Sequence, residues 1–167
     1  LGTGSSSLLG QAHVGQAITV TASYVDGFNT SESQVSAATL AVANVNDAPT
    51  GAVMISGTAE QGRTLTATHN LADTDGLDTI SYTWKAGEVV LGTGSSLLLG
   101  QSHVGQTITV TASYTDLQGT SEAVSSAATL AVANVNDLPT GAVMISGTAE
   151  QGRTLTASNT LADADGL

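Results

Sequence analysis

The sequence predicts an all-β chain of tandem β-sandwich domains arranged as an extended rod. Three observations carry this. Apolar and polar residues alternate with period two through the apolar segments, as in Thr107-Ile108-Thr109-Val110-Thr111-Ala112-Ser113-Tyr114, the pattern of half-buried antiparallel strands. Clusters of Gly, Asp and Asn cut the chain into short pieces, and no window carries a helical stripe. The chain also repeats with a 90-residue period: Leu1–Leu77 laid on Leu91–Leu167 matches at 62 of 77 positions. A repeat of this kind suits a tether or rod, whose product is length, better than an enzyme.

The elements follow in order. Ala17–Tyr24 alternates and reads as a strand, ahead of a loop at Asp26. Asn44-Val45-Asn46-Asp47 and Pro49 form a linker, since Pro fixes φ and donates no hydrogen bond. Gly51–Ser56 and Arg63–Thr68 are strands flanking the turn Glu60-Gln61-Gly62. Asp73-Thr74-Asp75-Gly76 is a loop, and Ile80–Trp84 is the next strand. Turns follow at Ala86-Gly87-Glu88 and Gly92-Thr93-Gly94, then the long strand Thr107–Tyr114, the loop Asp116 to Gly119, and a strand at Thr129–Ala133. Six or seven strands in 90 residues fit an immunoglobulin-like sandwich. Trp84, Leu65, Ile80, Ile108 and Val110 are its expected core. With boundaries at Pro49 and Pro139, residues 1–47 are the C-terminal part of one unit, 48–137 a complete unit and 138–167 the N-terminal part of the next. The chain then reads as a slice of a longer array, and neither partial unit is expected to fold alone.

Composition narrows the function. The net charge is −11, with Arg63, Lys85 and Arg153 the only basic residues. That excludes nucleic acid and anionic membranes as expected partners. No apolar run has the roughly 18–20 residues of a membrane span. Cysteine is absent, so metal becomes the expected staple of a small secreted domain. A surface rich in Ser, Thr, Gly and Ala suits an extracellular bacterial β-protein.

Strand direction places the acidic residues. The strand 51–56 leaves the first linker and 63–68 returns, so Asp73 and Asp75 come back to Asn44, Asn46 and Asp47. Asp116, in the loop after the long strand, points the same way. Glu60 falls at the opposite end, with Asn136, Asp137, Asp163 and Asp165. Carboxylates gathered this closely repel unless a cation lies between them. Ca2+ takes six to eight oxygens in flexible geometry, and the lack of Cys and of clustered His argues against Zn or Cu.

VANVNDAP at 42–49 is similar to the DxNDNAP linker of cadherins, and LADTDG at 71–76 resembles their DAD motif. Glu60 resembles the glutamate near the base of the preceding cadherin domain. The whole unit, with GTAEQGRTLTA and HVGQTITVTASYTD, resembles the tandem Ig-like or cadherin-like repeats of large bacterial RTX-type adhesins. The resemblance implies Ca2+ at each joint between repeats. Asn44 stands where cadherins have Asp, Ala48 replaces their second Asn, and their mid-domain acidic motif has no match. One or two ions per joint, rather than three, are therefore expected.

Plainer readings stand beside these. Asp73-Thr74-Asp75-Gly76 is also a good Asx turn. It is no EF-hand, because Leu77 and Trp84 occupy ligand positions. Glu60, Asp26 and Asp116 read equally as turn residues. His13 and His103, in Gln-Xaa-His-Val-Gly-Gln, suit a turn or surface role, and His69 becomes Asn159 in the copy. GTGSS lacks the Lys and helix of a phosphate loop, and no GxSxG elbow occurs. Asn29-Thr30-Ser31 is a formal glycosylation sequon. The differences between 25–35 and 115–125 suggest a loop facing solvent and free to drift.

The leading expectation is therefore a non-enzymatic extender region of a secreted, cell-surface bacterial adhesin, serving adhesion or biofilm formation. Its partners are the neighbouring repeats. The rivals are a structural repeat of an extracellular filament, sheath or matrix fibre, in which copies assemble, and a glycan- or protein-binding module.

Overall fold

The computed structural model describes residues 2–167 as almost entirely β, with two single-turn 3-10 helices, Gln11–His13 and Gln101–His103. It resolves into two compact units. Of the described residues, one holds 2–50, 71–79 and 114–122, and the other 51–70, 80–113 and 123–167.

In the second unit a three-stranded sheet joins β3 (Val53–Ser56), β4 (Thr64–His69) and β7 (Ser96–Leu98) in the order β3-β4-β7. Both pairings are antiparallel, with Val53 opposite His69 and Leu65 opposite Leu97. A four-stranded sheet has the order β6-β5-β8-β9, from β5 (Ser81–Ala86), β6 (Val89–Thr93), β8 (Thr109–Thr115) and β9 (Ser121–Ser125). Residues 114–122, the adjoining ends of β8 and β9 with their loop, belong to the first unit. Alternation sorts the side chains: in β4, Leu65 and Ala67 are buried between exposed Thr64, Thr66 and Thr68. Val53, Leu65, Ala67 and Leu97 from one sheet and Trp84, Val110 and Ala112 from the other make a sandwich-type core, with Leu99, Ile108 and Val132. Burying each of the larger side chains contributes about 1.5–3 kcal/mol. The Trp84 indole N–H donates to the Gly94 carbonyl at 2.8 Å, so the ring is buried without an orphan donor.

Trp84, Leu65, Ile108 and Val110 are thus core residues, whereas Ile80 is only half-buried, one residue ahead of β5. Thr129–Ala133 forms no ladder strand. Ser and Thr hydroxyls replace part of the ladder: Val110 N donates to Ser126 Oγ at 3.1 Å and Ile108 N to Thr129 Oγ1 at 3.0 Å. The two hydroxyls then donate to the Ala127 and Leu130 carbonyls. Period-two patterning cannot distinguish this relay from a backbone ladder. The earlier copy does the same through Ser36 and Thr39, which shortens the expected strand 17–24 to β1 (Thr21–Val25).

In the first unit β1 pairs antiparallel with β2 (Ser31–Val35). Its hairpin loop is closed by Asp26, whose Oδ1 accepts from Phe28 N and Thr30 N. In the second unit β10 (Val143–Ser146) pairs with β11 (Thr156–Asn159) in the register of β3 and β4, but as a two-stranded sheet.

Repeated residues differ sharply in exposure. Leu65 is 1% exposed and its copy Leu155 49%; Val53 is 4% and Val143 67%; Tyr114 is 5% and Tyr24 60%. The local sequence sets strand and register, while burial comes from partners such as β5 and β7. Leu65→Ala should therefore cost about 2–5 kcal/mol, and Leu155→Ala less than about 1 kcal/mol, in denaturant unfolding of the whole chain. Equal losses would contradict this division.

Candidate cation-binding linker clusters

The first cluster lies within the first unit. Thr50 and Ala72 exchange backbone hydrogen bonds, N to O at 2.8 Å and 3.0 Å, which sets the 73–76 loop beside the linker. The loop is an Asx turn: Asp75 N donates to Asp73 Oδ1 at 2.9 Å, and Gly76 N to the Asp73 carbonyl at 3.1 Å. Gly76 has φ +95, a conformation that favours glycine, and a Cβ there would also push aside the exposed Leu117 side chain, 2.6 Å away. Asp47 N then donates to Asp75 Oδ2 at 2.7 Å, joining linker to loop.

Side chains that sequence reasoning passed over complete this cluster. Gln11 Nε2 donates to Asp75 Oδ1 at 2.8 Å. The Tyr114 hydroxyl donates to Asp73 Oδ2 at 2.6 Å, and Asn46 Nδ2 to Glu122 Oε1 at 2.8 Å. Asp116 Oδ1 accepts from Gln118 N and Thr120 N, the hairpin role that Asp26 has in the copy. Leu117 N donates to the Asp75 carbonyl at 3.2 Å. Residues 117–119 face solvent, as the sequence suggests, but the loop is also tied through Leu117 N to the 73–76 loop.

The second cluster, within the second unit, repeats the plan. Thr140 pairs with Ala162, Asp165 N donates to Asp163 Oδ1 at 2.9 Å, and Asp137 N donates to Asp165 Oδ2 at 2.8 Å. Gln101 Nε2 reaches Asp165 Oδ1 and the Ala164 carbonyl, both at 3.2 Å. Asn136 turns its amide to the Asp137 carbonyl. Glu60 forms a parallel bridge with Ala133, which places its turn at this linker, but its carboxylate pairs with Arg63 Nε at 3.4 Å. The side chain that reaches Asp137 is its neighbour: Gln61 Nε2 donates to Asp137 Oδ2 at 2.8 Å.

The electrostatics are one-sided. Asp75 and Asp116 are 3% and 4% exposed. Among the described residues the ion pairs are Arg63 with Glu60 and Arg153 with Glu150, so neither buried aspartate meets a basic side chain. Asp116 Oδ2 and Asn44 Oδ1 are buried without a hydrogen-bond partner, as is Gln101 Oε1 in the second unit. Among the described residues no three His, Asp or Glu side chains are grouped as a ready metal cage. Any cation here would draw amide and backbone oxygens as well as carboxylates. His13 and His103 serve turns, each Nδ1 accepting from Gly10 or Gly100 N at 2.9 Å and 2.8 Å.

Comparison with protein-family models, curated proteins and solved structures finds no match to this chain.

Two titrations report on the clusters. Burial, and then the hydrogen bond to Asp73 and the charges of Asp73, Glu122 and Asp116, push the Tyr114 hydroxyl far above its usual range. An unfolded tyrosine ionises near pH 10, so the folded form loses stability as pH rises past that point. Tyr114→Phe should cost about 1–2 kcal/mol and flatten this alkaline loss in unfolding curves; an unaltered alkaline slope would contradict the assignment. The Asp165 carboxyl is held below its usual range by the Asp137 backbone N–H, and then by Asn134 and Gln101. Its contribution is present above the ordinary aspartate value, about 3.9, and is lost as pH falls through the depressed folded value. The Asp137 amide proton shift should therefore titrate below that ordinary value. A midpoint at or above it would break the link.

Proposed function

We propose that this chain is an extender segment of a secreted, cell-surface bacterial adhesin, in which Ca2+ stiffens the joints between tandem repeats. Its work is mechanical: to hold a distal binding domain away from the cell. Supporting this are the 90-residue repeat, the strongly acidic chain without cysteine, and the resemblance of VANVNDAP and LADTDG to cadherin joint motifs.

The observation that carries the calcium reading is that two oxygens of the first unit, Asp116 Oδ2 and Asn44 Oδ1, are each buried without a hydrogen-bond partner. A buried carboxylate oxygen without donor or counter-charge is costly, and a bound cation removes that cost. Asp116, Asn44, Asp73, Asp75 and Asp47 would supply oxygens at this joint. Asp137, Asp163 and Asp165, with Asn136, would do so at the next. The bound ion would provide counter-charge and tie linker, 73–76 loop and 116–120 loop together. An ion that binds only the folded form stabilises by RT ln(1 + [L]/Kd), about 3–4 kcal/mol at 100–1,000 times Kd.

Chelator should lower the melting temperature of the chain, and added Ca2+ should restore it. Asp116→Asn should weaken that response, since it removes the charge but keeps the shape. A melting curve indifferent to both chelator and Ca2+ would rule out the calcium reading. The rod would then owe its form to the linkers themselves.

A further inference from the structure

Gln61 grips the second linker, Gln101 holds the aspartate that accepts from the linker N–H, and we infer that the two glutamines form a metal-independent clamp that fixes the linker conformation. Gln61 stands in the turn between β3 and β4. Its Oε1 accepts from Val135 N at 3.2 Å, and its Nε2 donates to Asp137 Oδ2 at 2.8 Å. Its own N–H donates to the Ala133 carbonyl at 3.0 Å. Its side chain thus holds two linker groups, at residues 135 and 137, and its backbone holds the Ala133 carbonyl just ahead of them. Asp137 N–H then donates to Asp165 Oδ2, and Gln101 Nε2 donates to Asp165 Oδ1. The run Gln61–Asp137–Asp165–Gln101 is joined entirely by hydrogen bonds between protein groups.

The chemistry requires an amide at position 61. Only a carboxamide presents a donor and an acceptor side by side, and the linker offers a carboxylate and an N–H two residues apart. Glutamate would set a second negative charge against Asp137, and leucine would satisfy neither group. Gln101 is aimed by its 3-10 turn, in which Gly100 N donates to His103 Nδ1. Gln106 Nε2 also returns to the Ser102 carbonyl in that turn, at 2.9 Å. This gives a role to Gln-Xaa-His-Val-Gly-Gln, a repeated motif that the calcium reading leaves unused. The first cluster repeats the second half of the run, with Gln11 on Asp75 Oδ1 and Asp47 N on Asp75 Oδ2.

The clamp rests on reading 134–138 as the linker between repeats, but it does not need the ion. The test is amide exchange by NMR on the full chain in chelator, comparing wild type with Gln61→Leu and Gln101→Leu. Exchange should quicken at least tenfold at Val135 in Gln61→Leu and at Asp137 in Gln101→Leu, while the core amides of Ala112 and Trp84 hold. Gln61→Glu should quicken Val135 as well, which separates the amide from mere bulk. Unchanged exchange in both leucine variants would overturn the clamp. So would a wild type whose Val135 and Asp137 amides gain protection only when Ca2+ is added. Failure of the calcium reading appears elsewhere, as a melting curve indifferent to the ion.

Discussion

The hydrogen bond from a linker backbone N–H to the second aspartate of the following loop organises both clusters. It is 2.7 Å from Asp47 to Asp75 and 2.8 Å from Asp137 to Asp165. Such a bond to a carboxylate is stronger than one between neutral groups. It exists because several weaker constraints already fix its partners. The paired backbones of Thr50 and Ala72 bring the loop back to the linker. The Asx turn at Asp73 presents Asp75, and Gly76 lets Leu117 lie close over it. Tyr114 braces Asp73 from β8.

Charge gives these clusters their distinctive character. Asp75 and Asp116 are buried in a chain with three basic residues, two of which pair with nearby glutamates on exposed turns. The Asp47 N–H and the Gln11 amide compensate Asp75, but Asp116 keeps one oxygen without a donor. The cluster therefore divides into a part the protein satisfies by itself and a part with spare oxygens. The first part is the ground for the glutamine clamp, and the second is the ground for calcium. Asp116 Oδ2 and Asn44 Oδ1 are free for an ion, whereas at Asp75, Asp137 and Asp165 an ion would share oxygens that already accept hydrogen bonds.

Much of this was legible in the sequence. Period-two alternation identified the strands that bury Leu65, Trp84 and Val110, and strand direction alone put Asp47, Asp73, Asp75 and Asp116 at one end. The amides and the phenol were not legible. Gln11 meets Asp75 across 64 residues and Gln61 meets Asp137 across 76, contacts that no local pattern reports. The repetition of EQGR and of Gln-Xaa-His-Val-Gly-Gln was the available signal. The segment 129–133 misled because a hydroxyl relay and a ladder share one alternation. The exposure of Leu155 against Leu65 was illegible for a deeper reason, since identical segments differ only in what surrounds them.

The central claim, that the linker is held and not merely tethered, can be measured directly. The chain has no cysteine, so spin labels can be placed uniquely at Ser125→Cys and Ser158→Cys, exposed positions in β9 and β11 on either side of the 134–138 linker. Pulsed dipolar spectroscopy should give one narrow distance distribution, which broadens when Asp165→Ala removes the acceptor of the Asp137 N–H. A broad distribution in the otherwise unaltered chain, insensitive to Asp165→Ala, would contradict the account.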